Sequence, residues 1–366
     1  MTNVTDASPL TITRIPVPAT LDAPDAGAFL ATSRIADEVC RYYAGHDYFD
    51  EDPAEQLPGW LDQTDRLQIG YTAEREGEIV GALTMMIPLE EGANNIEFDV
   101  MVPPAHLGRG VEAPLFEVLD AEARSHGRTV VQTWTLHKPD LSGPQLPSPT
   151  GWGSIPADDP QTQLMLARGF SFEQAERNSV FDLTGSFEGV EAMLADALRA
   201  AGDDYRLITW TSPTPDEYKD GFAYVISRMS TDVPTGEIVW APEAWDAARV
   251  ERRDKRLLAG GHTVSVACAL HVPTGTIVAY NELVIAADHT APTHQWGTLV
   301  LKEHRGHRLG ALVKCANLVR WRELMPGSPR VSTFNAEENR PMLDVNEAIG
   351  FVPASYAGAW KKTLDA

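Results

Sequence analysis

The chain has 366 residues, 43% of them hydrophobic and 22% charged, with a formal net charge of −22. That length exceeds one small core and predicts two or three domains. The acidic balance excludes general nucleic-acid binding, which needs a basic face to neutralise phosphate; it fits an amine-bearing partner, or serves only solubility.

Three cysteines, Cys40, Cys268 and Cys315, form no C-x-x-C pair, so neither a disulfide framework nor a zinc site is expected. The opening segment lacks a basic region followed by an apolar one, and no apolar run reaches membrane-spanning length. The expectation is a cytoplasmic protein with no metal, no membrane and no nucleic acid among its partners.

In chain order, alternation over 9–18 predicts a strand and 25–43 a helix. Residues 67–89 form two strand-like runs around Arg75–Gly77, a hairpin. A strand over 95–102 leads into a helix whose stripe of Leu115, Val118, Leu119 and Ala123 ends at Gly127. A buried strand over 128–136 follows. Residues 164–174 and 178–183 read as a helix end and closing strands. The second half repeats the order: a strand at 205–210, helices at 216–229 and 243–261, and a hairpin at 262–285 turning at Pro273–Gly275. A strand at 293–301, a helix striped by Leu309, Leu312, Val313 and Ala316, a strand at 330–336 and closing segments at 349–353 and 358–364 complete it.

The repeat can be checked by spacing. Glu112 and Gly310 close two glycine-bearing turns, and Gly169-Phe170 matches Gly350-Phe351. The first interval is 57 residues and the second 40, and the surplus falls on the Pro/Gly/Ser-rich stretch 138–159, an inserted loop. Two units make a duplicated domain rather than a solenoid. The expected division is 1–186, a linker helix over 187–202, and 203–366.

The stretch VLKEHRGHRLGALVKC, Val300 to Cys315, runs from a strand end through an Arg/His/Gly loop into a helix. Free backbone N–H groups at a helix start, with about half a positive charge from the helix dipole, bind phosphate. Gly306 and Gly310 give close access, and Arg305 and Arg308 add formal charge. The pattern is neither the P-loop nor the dinucleotide fingerprint.

This turn resembles the R-x-x-G-x-G/A pyrophosphate loop of GNAT-type N-acetyltransferases, with Arg305 leading, Gly310 closing and Arg308 standing where glycine is usual. Asn339 lies eleven residues before Gly350-Phe351, a second spacing similar to that family's. The resemblance covers nearly the whole chain as a tandem of two GNAT-like α/β domains, each an α+β mixed sheet. It implies acetyl-CoA as co-substrate, held by Val300, Leu301, Arg305, Gly306, His307, Arg308, Leu309, Gly310, Ala311, Asn335 and Asn339. The first copy departs from the pattern: Leu107 stands at the leading position, Glu112 at the closing one, and Asp158 at the Asn position. A carboxylate there repels an anion, so catalysis is expected in the second half.

The implied reaction is direct acyl transfer to the amine of a small molecule, aminoglycoside-like or a thiol-precursor amine. An alkyl ammonium of pKa near ~10 must lose a proton, and the thioester oxygen needs a donor, which the family takes from backbone near Val300 and Leu301. Candidate bases are His294 and Glu282. His294 reads also as an exposed strand-end histidine, and Glu282 faces either a cleft or solvent. The tyrosine that many family members carry seven residues after the Asn is Asn346 here and Met165 in the first copy. A thiol of pKa ~8.5 leaves without strict need of an acid, and Tyr356 is a substitute donor. His304 and His307 read as loop groups rather than metal ligands. Trp296 and Trp152 line a pocket or pack. The other reading of the whole chain is a non-catalytic CoA-binding sensor or scaffold.

Overall fold

The computed structural model describes residues 9–365. They fall into two compact units. The first takes in the chain up to Ala175, with Thr235–Ala241 and the end of the chain from Ser355; the second is Glu176–Pro234 with Pro242–Ala354.

The first unit contains β1 (Thr11–Arg14), α1 (Gly27–Ala44), α2 (Pro53–Leu61), β2 (Arg66–Arg75), β3 (Glu78–Pro88), β4 (Asn95–Met101), α3 (Glu112–Ser125), β5 (Val130–His137), the small hairpin β6 (Gln145–Pro147) and β7 (Ser154–Pro156), and α4 (Pro160–Ala167). Strands β1 to β5 pair in chain order. All pairs are antiparallel except β4 with β5, which run parallel because α3 carries the chain across. The sequence reading passed over α2, whose prolines argue against a helix. Pro53 sits at its first position, where no N–H is needed, and Asp52 caps Ala54 N at 2.8 Å. Trp60 then packs edge-on to Phe29 at 5.4 Å. The expected inserted loop holds β6 and β7.

A single long strand, β8 (Ser171–Asp182), closes the first repeat where two short ones were expected. The second unit continues with α5 (Glu188–Ala201), β9 (Tyr205–Thr211), α6 (Lys219–Ser227), α7 (Met229–Asp232), α8 (Ala247–Ala259), β10 (Thr263–His271), β11 (Thr276–Ile285), β12 (Thr293–Val300), α9 (Leu309–Leu324), β13 (Arg330–Ala336), α10 (Arg340–Ile349) and β14 (Val352–Thr363). Strands β9, β10, β11, β12 and β13 adjoin in that order, with β12 parallel to β13.

The division expected at residues 187–202 is not the one the packing makes. The outer edge of β13 is closed by the end of β8, from Arg330↔Asp182 to Ala336↔Glu176. The outer edge of β5 is closed by β14, from Tyr356↔His137 to Thr363↔Val130. Each repeat therefore lends its last strand to the other repeat's sheet. The cores record the exchange. Trp360 is fully buried among Leu83, Leu115 and Val131, and Phe181 among Trp321, Val331 and Phe351. A buried aromatic of this size holds its strand with roughly 1.5–3 kcal/mol. The segment 235–241 also belongs to the first unit, where the buried Gln132 amide pairs with both backbone groups of Val239 at 3.1 and 3.2 Å.

Candidate active site

Strands β12 and β13 are in register only at Thr293↔Val331 and His294↔Ser332, and then diverge. The gap is floored by helices on one face. Asn317 of α9 bonds Asn281 and the Ser265 carbonyl, which places α9 beneath Asn281, Leu283 and Gln295. The opposite face of the sheet carries Tyr280, Glu282, Val284 and His294 and packs against α6 and α8, since side chains alternate along a strand.

The turn from β12 to α9 has the shape its glycines require. Gly306 has φ +92° and Arg308 φ +57°, and nothing lies within 4 Å of a Cβ added at Gly306. In the first unit Gly108 and Gly110 occupy the same places at +71° and +76°. Arg308 thus adopts, at a cost of about 1–2 kcal/mol, the left-handed conformation that glycine takes freely. Arg305, His307 and Arg308 are all exposed. The Arg305 guanidinium is braced by the carbonyls of Val300 and Asp232, each at 3.2 Å. Arg308 lies 3.7 Å from Asp196. His304 bonds the Tyr205 hydroxyl at 3.0 Å, and the His307 ring lies 5.1 Å from Tyr205. Leu309 and Ala311 are buried, while Gly310 would place a Cβ 3.5 Å from Val300, an ordinary contact. The backbone there accepts a Cβ without strain.

The two expected backbone donors differ. The Leu301 N–H is committed to the Val278 carbonyl at 2.9 Å. In an antiparallel ladder successive N–H groups face opposite sides, so that of Val300 faces the gap left by β13. A bulge lies deeper in the same strand: β11 advances from Asn281 to Leu283 while β12 steps from Thr298 to Gln295, so Trp296 and Gly297 both oppose Glu282. Gly297 leaves room there that a side chain would take, since a Cβ would come within 2.2 Å of the Tyr280 hydroxyl and the ring would have to shift.

Glu282 does not face solvent. It is 3% exposed and accepts a 2.7 Å hydrogen bond from Arg253 of α8. Burial, with the Glu282 charge added, raises the pKa of Tyr280 and Cys268 well above normal, so both stay neutral. His294 is half-buried. Burial, with a smaller push from His262, lowers it to about 4. It lies across from Val284 on the Glu282 face, but no hydrogen bond joins the two candidate bases. Trp296 is exposed, with the Arg253 guanidinium 5.6 Å from its ring and His262 at 6.4 Å. Trp152 and Tyr356, by contrast, belong to the first unit.

At the end of β13, the Asn335 oxygen accepts a 2.8 Å bond from Asn346 of α10, whose own oxygen accepts from Lys314 of α9. Asn339 stands at the start of α10 without a side-chain cap bond. Lys314 and Arg253 were missed by sequence reasoning. Lys314 gave a signal, a lysine on the apolar run GALVKCANL, whereas Arg253 is one of several arginines in a charged helix. Among the described residues no cluster could hold a metal ion, and no helix is long and apolar enough to cross a membrane.

No protein-family model and no curated protein sequence matches the chain. Solved structures do. A tandem GNAT protein from the clavulanic acid biosynthesis pathway matches over 98% of this chain and 99% of its own, with TM-score 0.73 and 23% identity. A GCN5-related N-acetyltransferase from Sphaerobacter thermophilus matches over 98% and 96%, with TM-score 0.60 and 15% identity. The GCN5-related glucosamine N-acetyltransferase region of a fungal multi-domain GH3 beta-N-acetylglucosaminidase matches over 97% of this chain and 38% of its own, with TM-score 0.61 and 14% identity. The chain has the tandem GNAT fold.

Proposed function

We propose that the chain is an N-acetyltransferase that uses acetyl-CoA and acetylates the amine of a small molecule in its second half. The observation that carries this reading is the turn at 305–310: two exposed guanidinium groups and an open glycine at a helix start, beside a parallel strand pair that diverges. Arg305, Arg308 and the free N–H groups of the first turn of α9 suit a pyrophosphate. The gap between β12 and β13 suits a narrow acyl arm, with Asn335 and Asn339 at its far wall.

The acceptor nitrogen attacks the thioester carbon, the developing negative charge on oxygen meets the Val300 N–H, and the C–S bond breaks with its pair on sulfur, which takes up the proton that the acylated nitrogen sheds. His294, kept neutral because burial lowers it to about 4, can accept a hydrogen bond from the incoming nitrogen, and the Glu282 oxygens offer a second acceptor. His294 is a weak base for that reason, and Glu282 is already engaged by Arg253. The acceptor is then taken as its free-amine fraction, and kcat/KM climbs with pH towards the amine's own pKa.

The test is calorimetric titration of acetyl-CoA into the wild type, Arg305→Glu and Gly310→Glu, followed by an amine-library assay for CoA release. One site lost in both variants, with release on some amine, is the expected result. Absence of binding to the wild type would sink the reading. Binding without release on any amine would favour a CoA-binding sensor.

A further inference from the structure

Lys314 is 0% exposed, on a helix whose neighbouring positions are apolar, and among the described residues no carboxylate pairs with it. Its ammonium donates to the Asn346 oxygen and lies 4.8 Å from the Phe351 ring. A buried lysine without a counter-ion is costly, and here it meets a chain of two amides rather than an acid.

The order of that chain follows from hydrogen-bond polarity. An ammonium has donors and no acceptor, so the Asn346 amide must turn its oxygen to Lys314 and its nitrogen away. That nitrogen donates to Asn335, which must turn its oxygen to α10. The Asn335 nitrogen is then left pointing elsewhere, and it donates to no described residue. Asn335 shares a strand face with Thr333, which bonds Gln295 across the point of divergence. The Gln295 oxygen is buried with no partner. The floor of the gap therefore offers an amide N–H donor from Asn335 and an unpaired acceptor from Gln295, the complement of a secondary amide.

We propose that Lys314 is a positioning residue: through Asn346 it fixes the Asn335 amide with its N–H groups towards the gap, where they receive an amide carbonyl of the ligand's acyl-carrying arm. This rests on the acetyl-CoA reading given above, whose co-substrate carries two amides in that arm. Burial lowers Lys314 to about 7, opposed only weakly by Cys315 beside it, so just above neutrality the ammonium gives way to an amine that accepts as well as donates and no longer dictates the order. Other charged groups near the elements packed on α9 are engaged elsewhere. Glu191 of α5 pairs with Arg322 at 3.1 Å, Asp196 with Arg308, Glu347 of α10 with Arg177 and Arg340, and Glu282 of β11 with Arg253.

The experiment compares acetyl-CoA with adenosine 3′,5′-bisphosphate, which lacks the arm, by calorimetry from pH 6 to pH 9. It uses the full chain as wild type, Lys314→Met, and Asn335→Asp, which offers only acceptors. Loss of one oriented hydrogen bond is expected to weaken acetyl-CoA by roughly 3- to 10-fold in both variants at pH 6, with the bisphosphate unchanged. The wild-type preference for acetyl-CoA should fall above pH 7, and that of Lys314→Met should be flat. Equal preference in all three proteins would overturn the role of Lys314 while leaving the acetyl-CoA reading intact. Failure of the wild type to bind either ligand would overturn both. If Lys314→Met does not fold, Asn335→Asp and the wild-type pH dependence still decide, and a pH-independent preference counts against the proposal.

Discussion

The two glycine turns share a backbone and differ in what they offer. Gly108 and Gly110 of the first are left-handed at the same places as Gly306 and Arg308 of the second. The first nevertheless puts Leu107 where Arg305 stands and Glu112 where Gly310 stands. The strands behind them differ too. β4 keeps one register against β3 from Ala82↔Met101 to Met86↔Glu97, whereas β12 is bulged at Trp296 and Gly297. The position matching Glu282 is Thr84, and the one matching Gly297 is Asp99. A duplicated turn thus persists while the leading arginine and the bulge are present in one copy only.

The sharpest way to break that contrast is Arg253→Met. It strands Glu282 as a buried, unpaired carboxylate and should cost about 3–5 kcal/mol, read from the urea midpoint. Adding Glu282→Leu should return most of that loss, and a double variant no better than Arg253→Met would show that the pair is not the cause. Next, Gly310→Glu gives the second turn the closing residue of the first and should weaken acetyl-CoA by about 100-fold or more. The reverse change, Leu107→Arg with Glu112→Gly, should leave calorimetry at one site per chain. A second site would mean that the turn alone suffices.

Gly297→Ala should destabilise by about 1–3 kcal/mol because the Tyr280 ring must move, while Asp99→Ala at the unbulged counterpart should change the urea midpoint little. Lys314→Met should raise stability more at pH 6 than at pH 9. The folded pKa lies below the unfolded one, so burial of the charged form is most costly below about pH 7 and eases as the pH rises. A gain independent of pH would show that the lysine is not titrating. Smallest is Arg308→Gly, expected to stabilise by about 1 kcal/mol through relief of the left-handed backbone while weakening acetyl-CoA only a few-fold.

Much of this was legible in the sequence. The duplication, both hairpins and the two turns follow from alternation, helical stripes and glycine spacing, which are local signals. What could not be read depends on partners distant in the chain. Nothing local distinguishes a strand that closes its own sheet from one that closes the other, so the exchange of β8 and β14 was invisible. Glu282 in AYNELVI was correctly marked as an oddity, yet its ion pair required knowing which arginine of α8 faces inward. His294 was chosen because imidazole ordinarily titrates near neutrality, and burial removes that property. The helix PAEQLPGWL was passed over because its prolines disguise a capped start.

The exchange of closing strands also has a consequence in time. The sheet begun by residues 11–137 is completed only by 355–363, a strand made after the whole of the second repeat. At 5–20 residues per second, synthesis of the intervening chain takes about 10–40 s. Throughout that interval the outer edge of β5, with its run Val130-Val131, stands as an unpaired template for any passing strand. The unit that holds β1 to β5 must therefore wait for a strand made after the second repeat, and a lesion in β14 injures that unit.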